Sequence, residues 1–176
     1  MLQMKFKPRF IEAFASGQKI TSLRMMDFRC RCYDSPDYPP KYIHSDTLKY
    51  RIYVDIEGLD IILPSGLAVK YTSDLAGLLK RQPYQPGDDI ELVAAYESGE
   101  TVPFATATIG HISVIKGGKI EEVDAIHDGF NPDRDPLNEL LAFMRETYHT
   151  ITPLNEMYWL YTFTNIQMLP MWGGAA

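Results

Sequence analysis

Apolar residues near the start of the chain recur at helical spacing. Phe10, Ile11 and Phe14 fall three and four positions apart, which places them on one face of a helix. Pro8 suits the first turn of that helix, and Gly17 suits the cap at its C-terminal end. The pattern predicts a short amphipathic helix that packs one face against a core.

Several later segments have the β-branched and aromatic composition of strands. The predicted strands are 19–26, 50–56, 89–96, 102–115 and 157–166. Turn signals at 86–88, 97–100 and 117–118 separate the later ones, and the tail after 166 is expected to be loose. The stretch 27–86 is rich in proline, glycine and tyrosine, and we interpret it as a loop with an extra hairpin.

The clearest helix signal comes late in the chain. Asp135 suits the cap and Pro136 the first turn, and leucines, Met144 and Tyr148 follow at spacings of three and four. Ser73–Arg81 is a weaker candidate, because Gly77 interrupts it. Two helices among non-alternating strands predict an α+β fold on a curled sheet or small barrel, formed by residues 1–176 as a single domain.

Composition narrows the class of protein. With 176 residues and 45% hydrophobic content, the chain can build one core. It contains no run of eighteen apolar residues, so no membrane helix is predicted. Charged residues interrupt the first fourteen positions, so no signal peptide is indicated and a cytoplasmic location is expected. The sequence does not indicate an oligomeric state.

Charge is unevenly distributed along the chain. The formal net charge is −6, which argues against a wholly basic surface that coats nucleic acid. Residues 1–51 nevertheless carry ten Lys and Arg against five Asp and Glu, whereas 52–176 carry seven against eighteen. This polarity is compatible with a local anion or phosphate site, or with a merely solvated basic segment.

No cofactor or metal is predicted. The sequence has neither a GxGxxG nor a GxxxxGK[ST] phosphate loop. Cys30 and Cys32 are too close in sequence to form a framework disulfide and are expected to be reduced thiols. His111 and His127 suggest a metal site with Asp124 or Asp128, but the sequence has no HExxH, no CxxC pair and no third histidine at ligand spacing.

The segment Gly17–Arg24 concentrates polar chemistry after the first helix. It reads GxKxxxxR and includes Lys19, Thr21, Ser22 and Arg24. Together with the turn YQPGD before DIELV, the segment HDGF before a helix and an aromatic last strand, it resembles the ASCH domain family. The resemblance covers about 6–26 and 84–166, and it implies a PUA-like small β-barrel with flanking helices and an insertion at about 27–83.

The resemblance also implies site residues. Some members are similar to amidohydrolases that act on N4-acetylated cytidine through a Lys, a Thr and a Glu. By motif position these roles fall on Lys19, Ser22 and Asp128, with serine in place of threonine and aspartate in place of glutamate. We expect the catalytic candidates Lys19, Ser22 and Asp128, and the ligand-binding candidates Arg24, Lys19 and Thr21, to meet in one open cleft.

The chemistry of these residue types allows more than one role. A serine hydroxyl attacks a carbonyl when a base removes its proton, and a lysine can be that base if burial lowers its pKa. Arg24 can hold an oxyanion or a phosphate. Alternatively, Lys19 and Arg24 are solvated charges or ion-pair partners of Asp27 and Asp128, and Asp128 is an ordinary turn residue.

Tyrosines interleave with basic residues in the expected insertion. They are Tyr33, Tyr38, Tyr42, Tyr50 and Tyr53 among Arg29, Arg31, Lys41, Lys49 and Arg51. This composition is typical of base stacking and phosphate binding, and also of hairpin packing. The leading hypothesis is a domain that binds RNA or a modified nucleoside. The alternatives are a hydrolase of acylated nucleosides or RNA, and a protein-interaction domain.

Overall fold

A computed structural model describes residues 1–25, 51–54, 59–62, 68–71 and 82–172. The strands are β1 (Leu2–Phe6), β2 (Thr21–Met25), β3 (Arg51–Val54), β4 (Leu59–Ile62), β5 (Ala68–Tyr71), β6 (Asp89–Ala95), β7 (Thr101–Lys116) and β8 (Met157–Met168). The α-helices are α1 (Ile11–Ala15), α2 (Glu122–His127) and α3 (Pro136–Tyr148), with 3-10 turns at Pro8–Phe10, Gly117–Lys119 and Pro153–Asn155.

Five strands form one mixed sheet in the order β1-β6-β7-β8-β2. β1 runs parallel to β6, and the other neighbours are antiparallel. The two longest strands pair along most of their length, and their register shifts between Thr106 and Thr108 and between Ile109 and His111. Irregularities of this kind increase strand twist and bending. The sheet is a curled half-barrel, so the predicted α+β class built on a curled sheet is confirmed.

Capping residues mark the start of α3 and the end of α1. The Asp135 carboxylate accepts a hydrogen bond from the Asn138 backbone N–H and caps α3, as the sequence predicts. Gly17 adopts a φ of +77° after α1, a conformation that glycine tolerates better than other residues. The first helix and its cap are therefore also confirmed.

The core lies between the sheet and the helices and is strongly aromatic. Phe6 of β1 meets Phe14 of α1 edge-on, with ring centroids 5.0 Å apart, and contacts Phe104 and Phe163 at 6.4 and 6.2 Å. Edge-to-face pairs of this kind add to the stabilisation from buried area. These contacts join α1 to three strands of the sheet, β1, β7 and β8.

A second sheet contains β3, β4 and β5, all antiparallel. The extra hairpin expected in this stretch is present as β3 and β4, with β5 added to it. Among the described residues, the two sheets have no strand in common. The predicted helix at 73–81 lies outside the described residues, and so do Cys30, Cys32, Tyr33, Tyr38, Tyr42 and Tyr50. For Tyr53 only the backbone in β3 is described.

Three expectations need correction. β1 was not predicted, because its exposed residues, Lys5 among them, hide the alternation of buried Met4 and Phe6. α2 was also missed, although Glu121 and Asp124 form a capping box at its start. The final strand extends to Met168 rather than ending at 166, and Trp172 Nε1 donates to the Pro103 carbonyl at 3.2 Å, so the tail is ordered that far.

None of the helices in the described part of the chain is both long enough and apolar enough to cross a membrane.

Candidate functional site

Lys19 occupies the turn between α1 and β2 and is almost fully buried, with 1% of its surface exposed. Its ammonium group donates three hydrogen bonds. The acceptors are the Thr21 carbonyl at 2.8 Å, the Asp128 carbonyl at 2.5 Å and the Asp128 carboxylate Oδ1 at 2.6 Å. Since an ammonium group has three N–H donors, the hydrogen-bonding capacity of Lys19 is fully used.

Asp128 follows α2 directly and is also buried, with 3% of its surface exposed. Its carboxylate accepts the bond from Lys19, and the nearby Leu23 backbone of β2 acts to lower its pKa. Gly129 follows at a φ of +101°, and a Cβ there would lie 3.0 Å from Lys19 Cδ and 3.1 Å from Phe10 Cδ1. The glycine therefore lets the chain pass close to the lysine stem.

Burial controls the protonation of this pair. Desolvation lowers the pKa of Lys19 from its ordinary value, and the nearby Asp128 carboxylate opposes that shift. Desolvation likewise raises the pKa of Asp128, and Lys19 opposes that shift. The environment thus favours the neutral form of each partner, while their contact favours the charged forms.

Aromatic rings surround the Lys19 ammonium group. Its Nζ lies 4.8 Å from the ring centroid of Phe10 and 5.5 Å from those of Phe6 and Phe14. A cation within about 6 Å of a ring face is attracted by the ring quadrupole. These contacts partly replace the water that Lys19 loses on burial.

Ser22 and Arg24 lie two positions apart on β2 and are joined by a hydrogen bond. Arg24 Nε donates to Ser22 Oγ at 3.1 Å, and Arg24 Nη2 donates to the Lys5 carbonyl at 2.7 Å. The guanidinium carbon lies 5.0 Å from the Phe6 ring centroid. Arg24 is therefore held in one orientation, and its other guanidinium donors have no hydrogen-bond partner among the described residues.

A pocket of about 210 Å³ opens beside these residues. Its lining consists of four cations, four aromatic residues and three small or polar residues: Lys5, Lys7, Lys19, Arg24, Phe6, Phe10, Phe143, Tyr148, Ser22, Ala95 and Thr147. None of the described residues that line it carries a carboxylate. The combination suits an anionic ligand that also has an aromatic or apolar part.

The structure brings Lys19, Ser22 and Arg24 to this pocket and separates the two remaining candidates from it. Asp128, expected to line the same open cleft, contacts Lys19 in the interior and does not line the pocket. Thr21 is also buried, and its Oγ1 has no hydrogen-bond partner among the described residues. Side chains alternate along a strand, so Thr21 faces away from Ser22 and Arg24.

Sequence reasoning missed four of the lining residues that now matter most: Lys5, Lys7, Phe143 and Tyr148. Lys5 and Lys7 flank the buried Phe6, and this alternation of exposed and buried positions is the signal that would have indicated the strand. Tyr148, the last residue of α3, accepts a hydrogen bond from the Met25 backbone, and burial raises its pKa. Its distance in sequence from the motif left no local signal for its role.

Two further tyrosines lie near Arg24. Tyr84 and Tyr161 meet edge-on, with ring centroids 5.7 Å apart, and Tyr161 lies opposite Ser22 in the pairing of β2 with β8. Burial raises the pKa of Tyr161 to about 12, although the positive charge of Arg24 opposes the shift. Both phenols are therefore neutral donors at physiological pH.

Among the described residues, no three His, Cys, Asp or Glu side chains are grouped as metal ligands would be. His111 is exposed on β7 and His127 is exposed at the end of α2. The structure therefore gives the metal hypothesis no cluster on which to rest within this part of the chain.

Comparison with known proteins gives little additional information. No protein-family model matches the sequence, and no curated protein matches it. Among solved structures, the chain is similar to the crystal structure of protein EF3133 from Enterococcus faecalis V583, described with the family model DUF984. The identity is 12% and the TM-score 0.48, over 95% of this chain and 76% of the other.

Proposed function

We propose that this chain binds RNA or a modified nucleoside in the pocket beside Arg24. The observation that carries the proposal is the composition of the pocket lining, in which four aromatic residues meet Lys5, Lys7 and Arg24, besides the Lys19 that is paired with Asp128, and no described lining residue carries a carboxylate. Phosphate groups pair with cations, and nucleobases stack on aromatic rings. A nucleotide combines both features in one ligand.

The size of the pocket supports a small part of such a ligand. Its volume of about 210 Å³ is below the ~300–1,000 Å³ typical of sites that enclose a drug-sized molecule. One base, or one phosphate with part of its sugar, is the appropriate scale. Arg24, held by Ser22 and by the Lys5 carbonyl, is the natural partner for the phosphate because its orientation is already fixed.

We also propose that the half-barrel is of the PUA-like, ASCH type. The support comes from the motif GxKxxxxR, whose Lys19 and Arg24 both lie at the pocket. Function on such a fold depends on the site and not on the fold itself. The binding proposal therefore rests on the pocket and stands apart from the family assignment.

The second candidate is a hydrolase that acts on an acylated nucleoside. The observation in its favour is the buried Lys19–Asp128 pair, because burial lowers the pKa of Lys19 and raises that of Asp128. In this alternative a neutral Lys19 accepts the proton of Ser22 as the serine oxygen bonds to the acyl carbon. The acyl–nitrogen bond then breaks as Lys19 returns the proton to the departing amine, and water hydrolyses the acyl-serine. The three hydrogen bonds of Lys19 would first have to rearrange.

Filter binding of labelled single-stranded RNA at several salt concentrations tests the binding proposal. Wild-type protein should retain RNA at low salt, with log affinity falling with log salt at a slope of only a few units. Arg24→Ala should weaken retention for all sequences and reduce the slope by about one. The matched control is Lys119→Ala, which removes an exposed charge outside the pocket and should change neither quantity.

The same preparation should be incubated with a panel of acylated nucleosides. Turnover that is lost in Ser22→Ala would favour the hydrolase. An absence of RNA retention at low salt, or an unchanged salt slope in Arg24→Ala, would remove RNA from the proposal.

A further inference from the structure

A row of exposed cations leaves the pocket along the end of β1 and the turn that follows it. Lys5, Lys7 and Arg9 are all exposed. Phe6, between the two lysines, and Phe10, directly after Arg9, are buried. Lys5 lies on β1, Lys7 follows the strand and Arg9 lies in the 3-10 turn Pro8–Phe10. Three exposed positive charges therefore follow one another within five positions of the chain.

Phe143 of α3 connects this row to the pocket. Lys7 Nζ lies 5.2 Å from the centroid of its ring, and Arg9 Cζ lies 5.4 Å from the same centroid. Lys7 and Phe143 line the pocket, whereas Arg9 does not. The row thus starts at the pocket and continues past its rim.

Arg9 is held in place by aromatic rings instead of by an ion pair. Its guanidinium carbon lies 4.9 Å from the Phe10 centroid and 5.2 Å from the Phe130 centroid. The ion pairs found among the described residues join Lys19 to Asp128 and Arg134 to Glu139, so no described carboxylate pairs with Lys5, Lys7 or Arg9. A guanidinium stacked on rings keeps its N–H edge available for an anion.

We infer that the ligand of this site is a single strand of RNA and not a free nucleoside. One nucleotide occupies the pocket beside Arg24, and the phosphate of a neighbouring nucleotide binds over Lys7 and Arg9. This inference rests on the proposed function. Its chemical basis is the combination that proteins use for single strands, a cationic track along the phosphates with aromatic rings beside it.

The inference separates two sets of residues by their effect. Arg24 contacts the nucleotide in the pocket, so it contributes to the affinity of a mononucleotide and of an oligonucleotide alike. Arg9 lies outside the pocket lining, so it contributes only when the ligand extends beyond the first nucleotide. Lys7 belongs to both parts and is therefore less informative as a variant.

Isothermal titration with uridine monophosphate and with uridine oligonucleotides of two, three and six residues tests this distinction. Wild-type affinity should rise by about tenfold from the mononucleotide to the trinucleotide, since each added phosphate contact contributes to binding. Arg9→Gln should remove most of that gain, leave the mononucleotide affinity unchanged and lower the salt slope for the trinucleotide by about 0.7.

Two controls keep the result specific. Arg9→Lys preserves the positive charge and should restore most of the trinucleotide affinity, which shows that charge and not a change in folding is responsible. Lys119→Gln removes one exposed charge elsewhere and should leave all affinities unchanged. An equal loss in Lys119→Gln would mean that net charge alone matters and would overturn the inference.

Other outcomes separate this inference from the function on which it rests. Equal wild-type affinities for mononucleotide and trinucleotide would overturn the strand inference and leave the pocket proposal standing. A loss of mononucleotide affinity in Arg9→Gln would place Arg9 within the pocket site and would overturn it too. No binding of any uridine ligand at low salt would remove the proposed function and the inference together.

Discussion

The ammonium group of Lys19 lies 2.6 Å from the Asp128 carboxylate, although 109 positions separate the two residues in sequence. The contact joins the turn before β2 to the residue that ends α2. Gln18 strengthens the same junction, since its side-chain amide donates to the carbonyls of Ile126 and Phe130 at 3.0 and 2.8 Å. The back of the pocket is therefore held by polar contacts within an aromatic core.

Loss of either partner of this pair should destabilise the fold strongly. Lys19→Met leaves a buried carboxylate without its cation, and Asp128→Leu leaves a buried ammonium group without its anion. Each should lower the free energy of unfolding by about 3–5 kcal/mol. The double variant removes both charges, so its free energy of unfolding should fall by much less than the sum of the two single losses. Urea denaturation of the four proteins measures the coupling.

The exposed pair of Arg134 and Glu139 supplies the comparison. Its N–O distance of 2.7 Å is similar, but the Arg134 side chain is 69% exposed. Arg134→Ala should therefore cost less than about 1 kcal/mol. Additive losses in the Lys19 and Asp128 cycle would show that the two side chains stabilise the protein independently.

The stability that this pair contributes should depend on pH with a minimum in the middle of the range. The pKa of Asp128 is higher in the folded protein than its value of 3.8 in the unfolded chain. Between the unfolded and the folded pKa, the folded protein binds more protons than the unfolded chain, so stability falls as pH rises. The folded-state pKa of Lys19 is lowered from 10.5, so in its window the unfolded chain binds more protons, and stability rises with pH.

The measurement is the difference in unfolding free energy between wild type and Lys19→Met/Asp128→Leu across pH 4 to 10. We expect this difference to favour wild type most at the two ends and least between them. A maximum near neutral pH would contradict the prediction, because it would mean that the attraction between the charges outweighs the cost of burying them.

Much of the fold could be predicted because its signals are local. The cap at Asp135, the glycine after α1 and the strands around the later turns depend on neighbours in sequence, and each was found. β1 was missed because three of its five residues are exposed, Lys5 among them. Its identity as a strand depends on parallel pairing with β6, nearly ninety positions away, which no local pattern expresses.

The site was less predictable for the same reason. The spacing of Lys19, Ser22 and Arg24 is local, and all three reach the pocket. The contact of Asp128 with Lys19, and the presence of Phe143 and Tyr148 in the pocket lining, result from how helices pack on the sheet. A buried lysine held by three acceptors differs from an exposed lysine that can contact a substrate. The local sequence around Lys19 does not show which of the two it is.

Gly117 and Gly118 should differ sharply in their tolerance of a methyl group. A Cβ at Gly117 would lie 1.9 Å from the Pro153 carbonyl oxygen, whereas the nearest atom to a Cβ at Gly118 is the Leu154 carbonyl oxygen at 3.4 Å. Backbone atoms cannot move aside as a flexible side chain can. Gly117→Ala should therefore cost about 1–3 kcal/mol of stability, with little change in Gly118→Ala. Thermal denaturation of both variants decides it, and equal losses would contradict the contact.

Two buried threonines should respond in opposite ways to replacement by valine. Thr150 Oγ1 donates to the Glu156 carboxylate at 3.0 Å and accepts from the Thr152 backbone N–H at 3.2 Å. Thr21 Oγ1 is buried without a hydrogen-bond partner among the described residues. Valine has nearly the same shape as threonine but lacks the hydroxyl group, so the substitution isolates the hydrogen bonds.

Thr150→Val should lower the free energy of unfolding by about 1–3 kcal/mol, because it leaves buried partners unsatisfied, whereas Thr21→Val should leave it unchanged or raise it by up to about 1 kcal/mol. Thr21 does not line the pocket, so Thr21→Val should also retain wild-type affinity for single-stranded RNA. Chemical denaturation and filter binding on the same samples measure both effects. A loss of RNA affinity without a loss of stability would place the Thr21 hydroxyl at the ligand, because only a direct contact weakens binding in a fully folded protein.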